Sequence, residues 1–308
     1  MKTSNSYSMF GNWMLIIPIF LLAYCQAWGQ WSSNPANNTG VCTQSDGQDQ
    51  SVAISDGQGG SIIAWLDSRD NQRRIYAQRL SAAGIPQWTA NGVLICTHNS
   101  GKQSLVIESD GAGGAILAWQ DYRNDANWPA DPEGDIFGQL IDASGNIKWL
   151  VQGSEICTAT WDQSFPAIVG DGSGGAIITW MDGRTGNDHV YAQRMSAGGS
   201  PQWTANGVPI CEQNYYQRYP DIASDGPGGG AIITWSDQRV FGAYDIYAQR
   251  INAGGLVQWT KDGVVVCDAG GMQDNPVIVS DAAGGAVIAW EDARNDASSG
   301  SDIYAQRI

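Results

Sequence analysis

Positive charge is scarce in this chain, and its scarcity excludes several classes of protein. The 308 residues include 16 lysines and arginines against 31 aspartates and glutamates, a formal net charge of −15. Nucleic acids and anionic lipid surfaces are recognised through clusters of basic residues, and a strongly acidic chain repels both. We therefore expect no nucleic-acid partner and no electrostatic attachment to a membrane.

Long apolar runs are lacking beyond the first 29 residues, so no later segment is expected to span a membrane. The one apolar run, MLIIPIFLLAYC (Met14–Cys25), is too short to cross a bilayer. Small residues follow it at Ala27 and Gly29, a pattern typical of a secretion signal cleaved before Gln30. We predict a signal peptide over residues 1–29 and a mature chain that is secreted or held at the cell surface.

The sequence also lacks the usual signatures of catalytic and metal sites. Histidine occurs only as His98 and His189, in unrelated loops, and no Ser-His-Asp set is indicated. The HExxH, CxxC and phosphate-loop motifs do not occur. Aspartate-rich loops at Arg123–Asp135 and Arg294–Asp302 contain oxygen ligands that suit calcium, but neither has the EF-hand spacing. We predict no cofactor and no metal, and leave calcium open as an alternative.

What the sequence has in abundance is an internal repeat. Each unit begins with an apolar strand and a glycine-rich turn, and a second strand then ends at a tryptophan. A third strand of the type DIYAQRI and a fourth with an Asn-Gly turn follow, and no segment has a helical apolar period. Four antiparallel strands per unit of about 55 residues predict a blade of a β-propeller. The copies of SDGxGGxxxxWxDxR are Ser55–Arg69, Ser109–Arg123, Gly170–Arg184, Ser224–Arg239 and Ser280–Arg294.

The order of strands at the two ends predicts the number of blades. After the signal the chain begins with a fourth strand alone, Gln30–Cys42, and it stops at Ile308 after three strands of a fifth unit. We predict an all-β domain over residues 30–308, a five-bladed β-propeller of four-stranded antiparallel blades. Its ring would be closed by the N-terminal strand completing the last blade, which removes an exposed sheet edge. A fragment of a longer repeat array is the alternative.

Repeats of the form SDGxGGxxxxWxDxR…DIYAQR resemble those of exported bacterial β-propeller proteins. The resemblance covers about residues 30–308 and implies a propeller in an extracellular setting, with no agreed activity. More distantly, the pairing of Ser, Asp, Gly and Trp is similar to the Asp-box repeats of sialidase-like propellers. In this chain the tryptophan stands at the end of the next strand, so the catalytic residues of sialidases are not carried over.

The six cysteines are predicted to be unpaired. Cys25 leaves with the signal, and a lipid anchor there is not expected because bulky Tyr24 precedes it. The other five hold equivalent positions in the repeats, which in a ring lie farther apart than the roughly 7 Å that a disulfide allows between Cα atoms. We predict buried free thiols at Cys42, Cys96, Cys157, Cys211 and Cys267.

Two charged positions recur from repeat to repeat and are predicted to be structural. The aspartate of WxDxR is expected to accept backbone N–H groups of the following loop or to pair with the arginine of YAQR. In the second repeat Leu140 replaces that arginine. The aspartates are Asp67, Asp121, Asp182, Asp237 and Asp292, and the arginines of YAQR are Arg79, Arg194, Arg250 and Arg307.

The segments that differ between repeats are the predicted binding face. Loops from strand two to three, and connections from strand four to the next blade, open at one end of a propeller, and here they hold aromatic residues outside the repeat. Such residues suit stacking on sugar rings or anchoring of a protein partner. Two acids replace apolar residues of the innermost strands, where a raised pKa would mark a functional group. The predicted ligand-binding residues are Trp128, Trp161, Phe165, Tyr215, Tyr216, Tyr219, Phe241, Tyr244, Glu108 and Asp221.

Three functions from different classes fit these features. The leading hypothesis is an exported, non-catalytic propeller that presents its variable face to a glycan or an extracellular protein. The second is a glycoside hydrolase of sialidase-like or five-bladed glycosidase type, which needs carboxylates about 5 to 9.5 Å apart. Glu108 and Asp221 are the one pair that the sequence offers. The third is a structural or adhesion module of the cell surface, and the fold alone does not choose between them.

Overall fold

The structure, a computed structural model, describes residues 31–32, 34–125, 133–239, 242–295 and 300–308. Nineteen strands lie in these residues, which contain no helix. Blade 1 consists of β1 (Gln48–Ser55), β2 (Ser61–Asp67), β3 (Arg74–Leu80) and β4 (Val93–Leu94). Blade 2 consists of β5 (Lys102–Ser109), β6 (Ala115–Asp121), β7 (Asp135–Ile141) and β8 (Ser154–Cys157).

The remaining strands form three further blades. Blade 3 consists of β9 (Gln163–Gly170), β10 (Ala176–Asp182), β11 (His189–Met195) and β12 (Val208–Pro209). Blade 4 consists of β13 (Gln217–Ser224), β14 (Ala231–Asp237), β15 (Asp245–Ile251) and β16 (Val264–Cys267). Blade 5 consists of β17 (Gln273–Ser280), β18 (Ala286–Asp292) and β19 (Asp302–Arg307).

Each blade is an antiparallel sheet whose strands lie side by side in chain order. The first strands of successive blades contact one another in the order β1, β5, β9, β13 and β17, so they form the inner wall. Because every inner strand runs in the same sense, the variable loops gather at one end of this wall and the SDG turns at the other. The predicted fold class, an all-β propeller of five antiparallel blades, is confirmed.

The SDG turn owes its shape to a carboxylate. In blade 3, Oδ1 of Asp171 accepts the backbone N–H groups of Ser173 (2.7 Å) and Gly175 (2.8 Å). Its other oxygen receives Arg194 of YAQR at 2.9 Å. Gly175 is required because a Cβ there would lie 2.2 Å from the carbonyl oxygen of Met195. The recurring sequence SD-x-x-GG is therefore a tight hairpin turn that is also tied to the third strand.

The Asn-Gly turn of the fourth strand packs directly on the tryptophan of the second. Gly207 has φ of +84°, and a Cβ at this residue would lie 2.5 Å from the ring of Trp180. The glutamine of YAQR fixes the same segment, since Gln193 donates to the carbonyl of Thr204 (2.8 Å) and accepts from the N–H of Trp203 (2.9 Å). The buried side-chain amide of Gln193 thus makes hydrogen bonds to the fourth-strand segment that the short strand β12 does not make through its backbone.

A buried carboxylate ends the second strand of each blade, and in blades 3 to 5 it contacts a thiol of the blade before. In blade 3, Asp182 is fully buried and accepts the indole N–H of Trp180 at 2.7 Å. Arg184 binds it through Nε (2.7 Å) and Nη2 (2.5 Å), and the guanidinium carbon lies 4.0 Å from the ring centre of Tyr191. The thiol of Cys157, from blade 2, lies 3.7 Å from the same carboxylate. We call this arrangement the carboxylate knot.

The knot revises the predicted pairing of the repeated charges. Each WxDxR aspartate pairs with the arginine of its own motif rather than with that of YAQR. The YAQR arginines pair instead with the aspartates of the SDG turns. In blade 1, burial opposes ionisation, but hydrogen bonds from Arg69 and Trp65 outweigh it and lower the pKa of Asp67 to about 2. The five described repeat cysteines are free, as predicted, but only Cys96, Cys157 and Cys211 are buried, whereas Cys42 and Cys267 are half-buried.

Removing the carboxylate of one knot should destabilise the protein strongly. We expect Asp182→Ala to lower the free energy of unfolding by about 3–5 kcal/mol, because the buried Arg184 charge loses its partner. Lys261→Ala is the matched control, since its pair with Glu212 is exposed and such pairs contribute at most about 1 kcal/mol. Urea unfolding measures both. Equal, small losses in the two variants would contradict a structural role for the knot.

The fifth blade differs from the prediction. Its sheet has three strands, and none of the described residues between Trp31 and Gly47 lies in a strand. This segment still contacts blade 1 as a fourth strand would: the ring of Trp31 lies beside Gly84, and Asn91 accepts the N–H of Thr43 at 3.0 Å. The segment therefore takes its place next to blade 1 without completing the sheet of blade 5.

Within the part of the chain that the structure describes, the face of blade 5 that points away from blade 4 is not covered by another blade. Ile303 is 73% exposed, whereas Ile75, Ile136 and Ile246 at the same position of β3, β7 and β15 are fully buried. The inner strand of blade 5 is exposed on the same face, where Val277 and Val279 of β17 are accessible to solvent. Apolar side chains in blades 1 to 4 are buried because another blade follows, and this condition is not met after blade 5.

A matched pair of truncations tests whether this face is open in solution. Ile246→Ala should cost about 2–5 kcal/mol of unfolding free energy, as expected for a fully buried isoleucine. Ile303→Ala should cost less than about 1 kcal/mol, because little apolar surface is lost from contact. Chemical denaturation of the two variants gives the comparison. A loss at Ile303 as large as that at Ile246 would show that blade 5 is covered.

Among the described residues, no helix is long and apolar enough to cross a membrane.

Candidate functional site

The third residue of every inner strand has an unusual backbone conformation. A β-bulge interrupts the pairing of each inner strand with its neighbour. The residue at the bulge has a positive φ between 48° and 53°, although none of the five is glycine. Bulges redirect side chains and occur next to functional sites. The residues at this position differ in every blade: Gln50, Ser104, Phe165, Tyr219 and Asn275.

A pocket of about 530 Å³ opens at this end of the inner wall, and we call it the axial pocket. Its volume lies in the range of small-molecule sites. The walls are mostly apolar and come from the first halves of β5, β9, β13 and β17. Its polar groups are the Ser104 hydroxyl, the Asn275 amide and the Asp221 carboxylate. Apolar walls with a few hydrogen-bonding groups suit a sugar ring, which has apolar faces and polar edges.

Aromatic side chains line the rim of the axial pocket. Phe165 and Tyr219 meet edge to face, with ring centres 5.6 Å apart, and Phe165 is 48% exposed. Arg218 places its guanidinium carbon 3.7 Å from the ring centre of Tyr244 and 5.2 Å from that of Tyr219. The same guanidinium pairs across the blade boundary with Asp274, at 2.5 and 3.2 Å. Residues from blades 3, 4 and 5 thus form one continuous rim.

Asp221 is the charged side chain of the axial pocket lining. Its two oxygens accept the backbone N–H groups of Ile222 and of Ile278 in the next blade, both at 2.9 Å. Burial raises the pKa of the Asp221 carboxyl, although these two hydrogen bonds work in the opposite direction. The group is therefore both a tether between blades 4 and 5 and a fixed acceptor in the pocket.

Glu108 lies at the opposite end of the inner wall. It borders a second pocket of about 450 Å³ next to the SDG turns, with Ser109, Asp110 and Gly170. Its carboxylate accepts the N–H of Ser109 at 2.7 Å, and burial raises the pKa of the Glu108 carboxyl. Glu108 and Asp221 thus border different pockets, and the structure does not bring them together in one site.

The other predicted aromatics lie outside the axial pocket. Trp161 is 60% exposed and borders a smaller pocket together with Glu133 and Asp135. Burial raises the pKa of the Asp135 carboxyl to about 6. Tyr215 and Tyr216 are exposed in the connection between blades 3 and 4, where their carbonyls accept hydrogen bonds from Gln217 and Gln238.

The structure does not test two of the predicted residues or all of the calcium hypothesis. Trp128 and Phe241 lie outside the described residues, as do parts of the loops at 123–135 and 294–302. Within the described residues, no group of three or more His, Cys, Asp or Glu side chains is placed to hold a metal ion.

Sequence reasoning missed Ser104, Arg218, Asp274 and Asn275. Each lies at the second or third position of an inner strand, where the residue varies between repeats, whereas the first position is glutamine in four of the five. Aligning the repeats at the bulge would have exposed this variation. The pairing of Arg218 with Asp274 was hidden, because it joins two repeats that are 56 residues apart.

The solved structures of similar fold include a polysaccharide lyase, an endo-arabinase and an α-L-arabinanase. An ulvan lyase, described as a new family of polysaccharide lyase, matches with a TM-score of 0.53 and 12% identity, over 83% of this chain and 68% of that one. An endo-arabinase from Bacteroides thetaiotaomicron matches with a TM-score of 0.45 and 15% identity, over 84% of this chain and 93% of that one. An α-L-arabinanase from Penicillium chrysogenum matches with a TM-score of 0.44 and 12% identity, over 79% of this chain and 77% of that one.

These likenesses concern the fold alone, because one fold can carry many unrelated functions. No family model and no curated protein sequence matches the chain.

Proposed function

We propose that this chain is an exported propeller that binds a glycan in its axial pocket. The observation that carries the proposal is the rim formed by Phe165 and Tyr219 above the acceptor Asp221. A sugar ring can stack on the exposed aromatic face while its hydroxyl groups donate to the carboxylate. Export is part of the proposal and depends on the apolar run within residues 1–29.

The rigidity of the site supports binding. Phe165, Tyr219 and Arg218 lie on the inner strands β9 and β13, and the bulges fix the direction of Phe165 and Tyr219. Asp221 is held by two backbone groups, and Arg218 by a carboxylate and an aromatic ring. A site that is already ordered loses little conformational entropy when a ligand binds. The ulvan lyase of similar fold acts on a polysaccharide, which is consistent with a glycan ligand.

Truncating the rim should weaken glycan binding. We expect Phe165→Ala and Tyr219→Ala each to raise the Kd for a bound oligosaccharide at least about tenfold, a change of about 1.4 kcal/mol. Tyr215→Ala is the control, because it removes an equally exposed aromatic outside the pocket and should change Kd less than about twofold. Calorimetry with neutral arabino-, xylo- and galacto-oligosaccharides and with uronate-containing ones measures this. Unchanged affinity in both rim variants would refute binding in the axial pocket.

A polysaccharide-degrading enzyme is the second candidate. Asp221 favours it, because a carboxyl whose pKa is raised by burial inside a pocket can act as a general acid or base. The described lining residues contain no second carboxylate, which hydrolysis by the usual two-carboxylate route requires. Binding without turnover is therefore the function that the geometry supports better.

Turnover assays separate the two candidates. If the chain only binds, release of reducing ends or of unsaturated products from polysaccharides should stay at background in wild type and in Asp221→Asn. Activity in wild type that falls at least a hundredfold in Asp221→Asn, but not in Glu108→Gln, would establish the enzyme. Glu108→Gln is a suitable control because it neutralises a similarly buried acid at the opposite end of the wall.

A further inference from the structure

We infer that the axial pocket selects uncharged saccharides and rejects anionic ones, with Asp221 as the residue that sets this preference. The inference rests on the proposed glycan-binding function and specifies its ligand class. It follows from the placement of charges in and around the pocket.

The described lining of the pocket offers one fixed negative charge and contains no lysine or arginine to balance an anionic sugar. Asp221 is the charged residue among the described lining residues, and the rest of the lining is apolar, aromatic or neutral. Both of its oxygens accept backbone N–H groups, which favour the ionised form and hold it in place. A uronate or sulfate beside it would face a like charge in partly desolvated surroundings, where repulsion is stronger than in water.

A cation does lie at the rim, but its charge is already compensated. Arg218 is bound by Asp274 through two nitrogens, and the ring of Tyr244 covers it at 3.7 Å. An incoming carboxylate would have to displace Asp274 to use the guanidinium. Arg218 thus contributes a flat stacking surface to the rim rather than an anion-binding group.

The net charge of the whole chain also disfavours anionic ligands. A formal net charge of −15 repels anionic polymers at low ionic strength and slows their approach. The ulvan lyase of similar fold has been solved bound to a glucuronate-containing, sulfated repeat. The axial pocket of the present chain has the opposite charge preference, so a common fold does not imply a common ligand.

Matched ligands that differ in charge alone test the inference. Affinities are measured by calorimetry at pH 8 for methyl-esterified and de-esterified tetragalacturonate, and for glucuronate-branched xylotetraose with its carboxyl methyl-esterified or free. We expect the uncharged member of a bound pair to bind at least tenfold more tightly to the wild-type chain. The difference should shrink to threefold or less in Asp221→Asn and stay unchanged in Glu108→Gln.

A second variant guards against loss of folding in Asp221→Asn, since Asp221 also joins blades 4 and 5. Asp274→Asn leaves Asp221 in place and frees Arg218, so it should raise the affinity for the anionic member at least threefold. Equal or tighter binding of the anionic member by wild type would overturn the inference and leave glycan binding intact. A charge preference that persists unchanged in both Asp221→Asn and Asp274→Asn would likewise overturn it. Binding of none of the saccharides would overturn the proposed function itself.

Discussion

The carboxylate buried at the end of each second strand is the group on which this architecture depends. Removing a carboxylate from water costs several kcal/mol unless partners replace the lost hydration. In the knot, an indole, a guanidinium and a backbone N–H do so together, and the guanidinium also stacks on the aromatic residue of the third strand. The thiol from the preceding blade completes the contact. Each knot therefore fixes strand order within a blade and the placement of neighbouring blades at once.

The spacing of WxDxR follows from this arrangement. Residues two apart in a strand lie on the same face, so Trp180 and Asp182 meet without any further folding of the chain. The chain then turns, and Arg184 returns to the carboxylate two residues later. A frame held by such local contacts tolerates variation elsewhere. The bulges of the inner strands are an example, because the residue at the bulge differs between blades while its backbone conformation stays the same.

The fifth blade shows what the repeats cannot provide for themselves. An inner blade is covered on both faces, and its glutamine and arginine of YAQR reach the fourth strand and the next blade. No fourth strand and no further blade follow β19 in the described residues. Gln306 is therefore exposed, whereas the equivalent glutamines of blades 1 to 4 are fully buried: Gln78, Gln139, Gln193 and Gln249. Burial at equivalent positions is thus a property of the neighbours rather than of the residue. The repeat sequence predicts that each blade has an apolar face, but it does not predict what packs against that face in blade 5.

The sequence by itself determined the class of fold, the number of blades and every strand except the one expected to complete blade 5, because tryptophan, glycine and charge recur at spacings that only one supersecondary unit satisfies. It also identified Tyr219, Tyr244 and Asp221 as residues outside the repeat. Only the tertiary structure decided that Asp221 and Glu108 border different pockets, that Arg218 is neutralised by Asp274, and that Phe165 meets Tyr219. These relations join different blades, and contacts between residues about 50 or more positions apart are set by how blades pack, which no local pattern encodes.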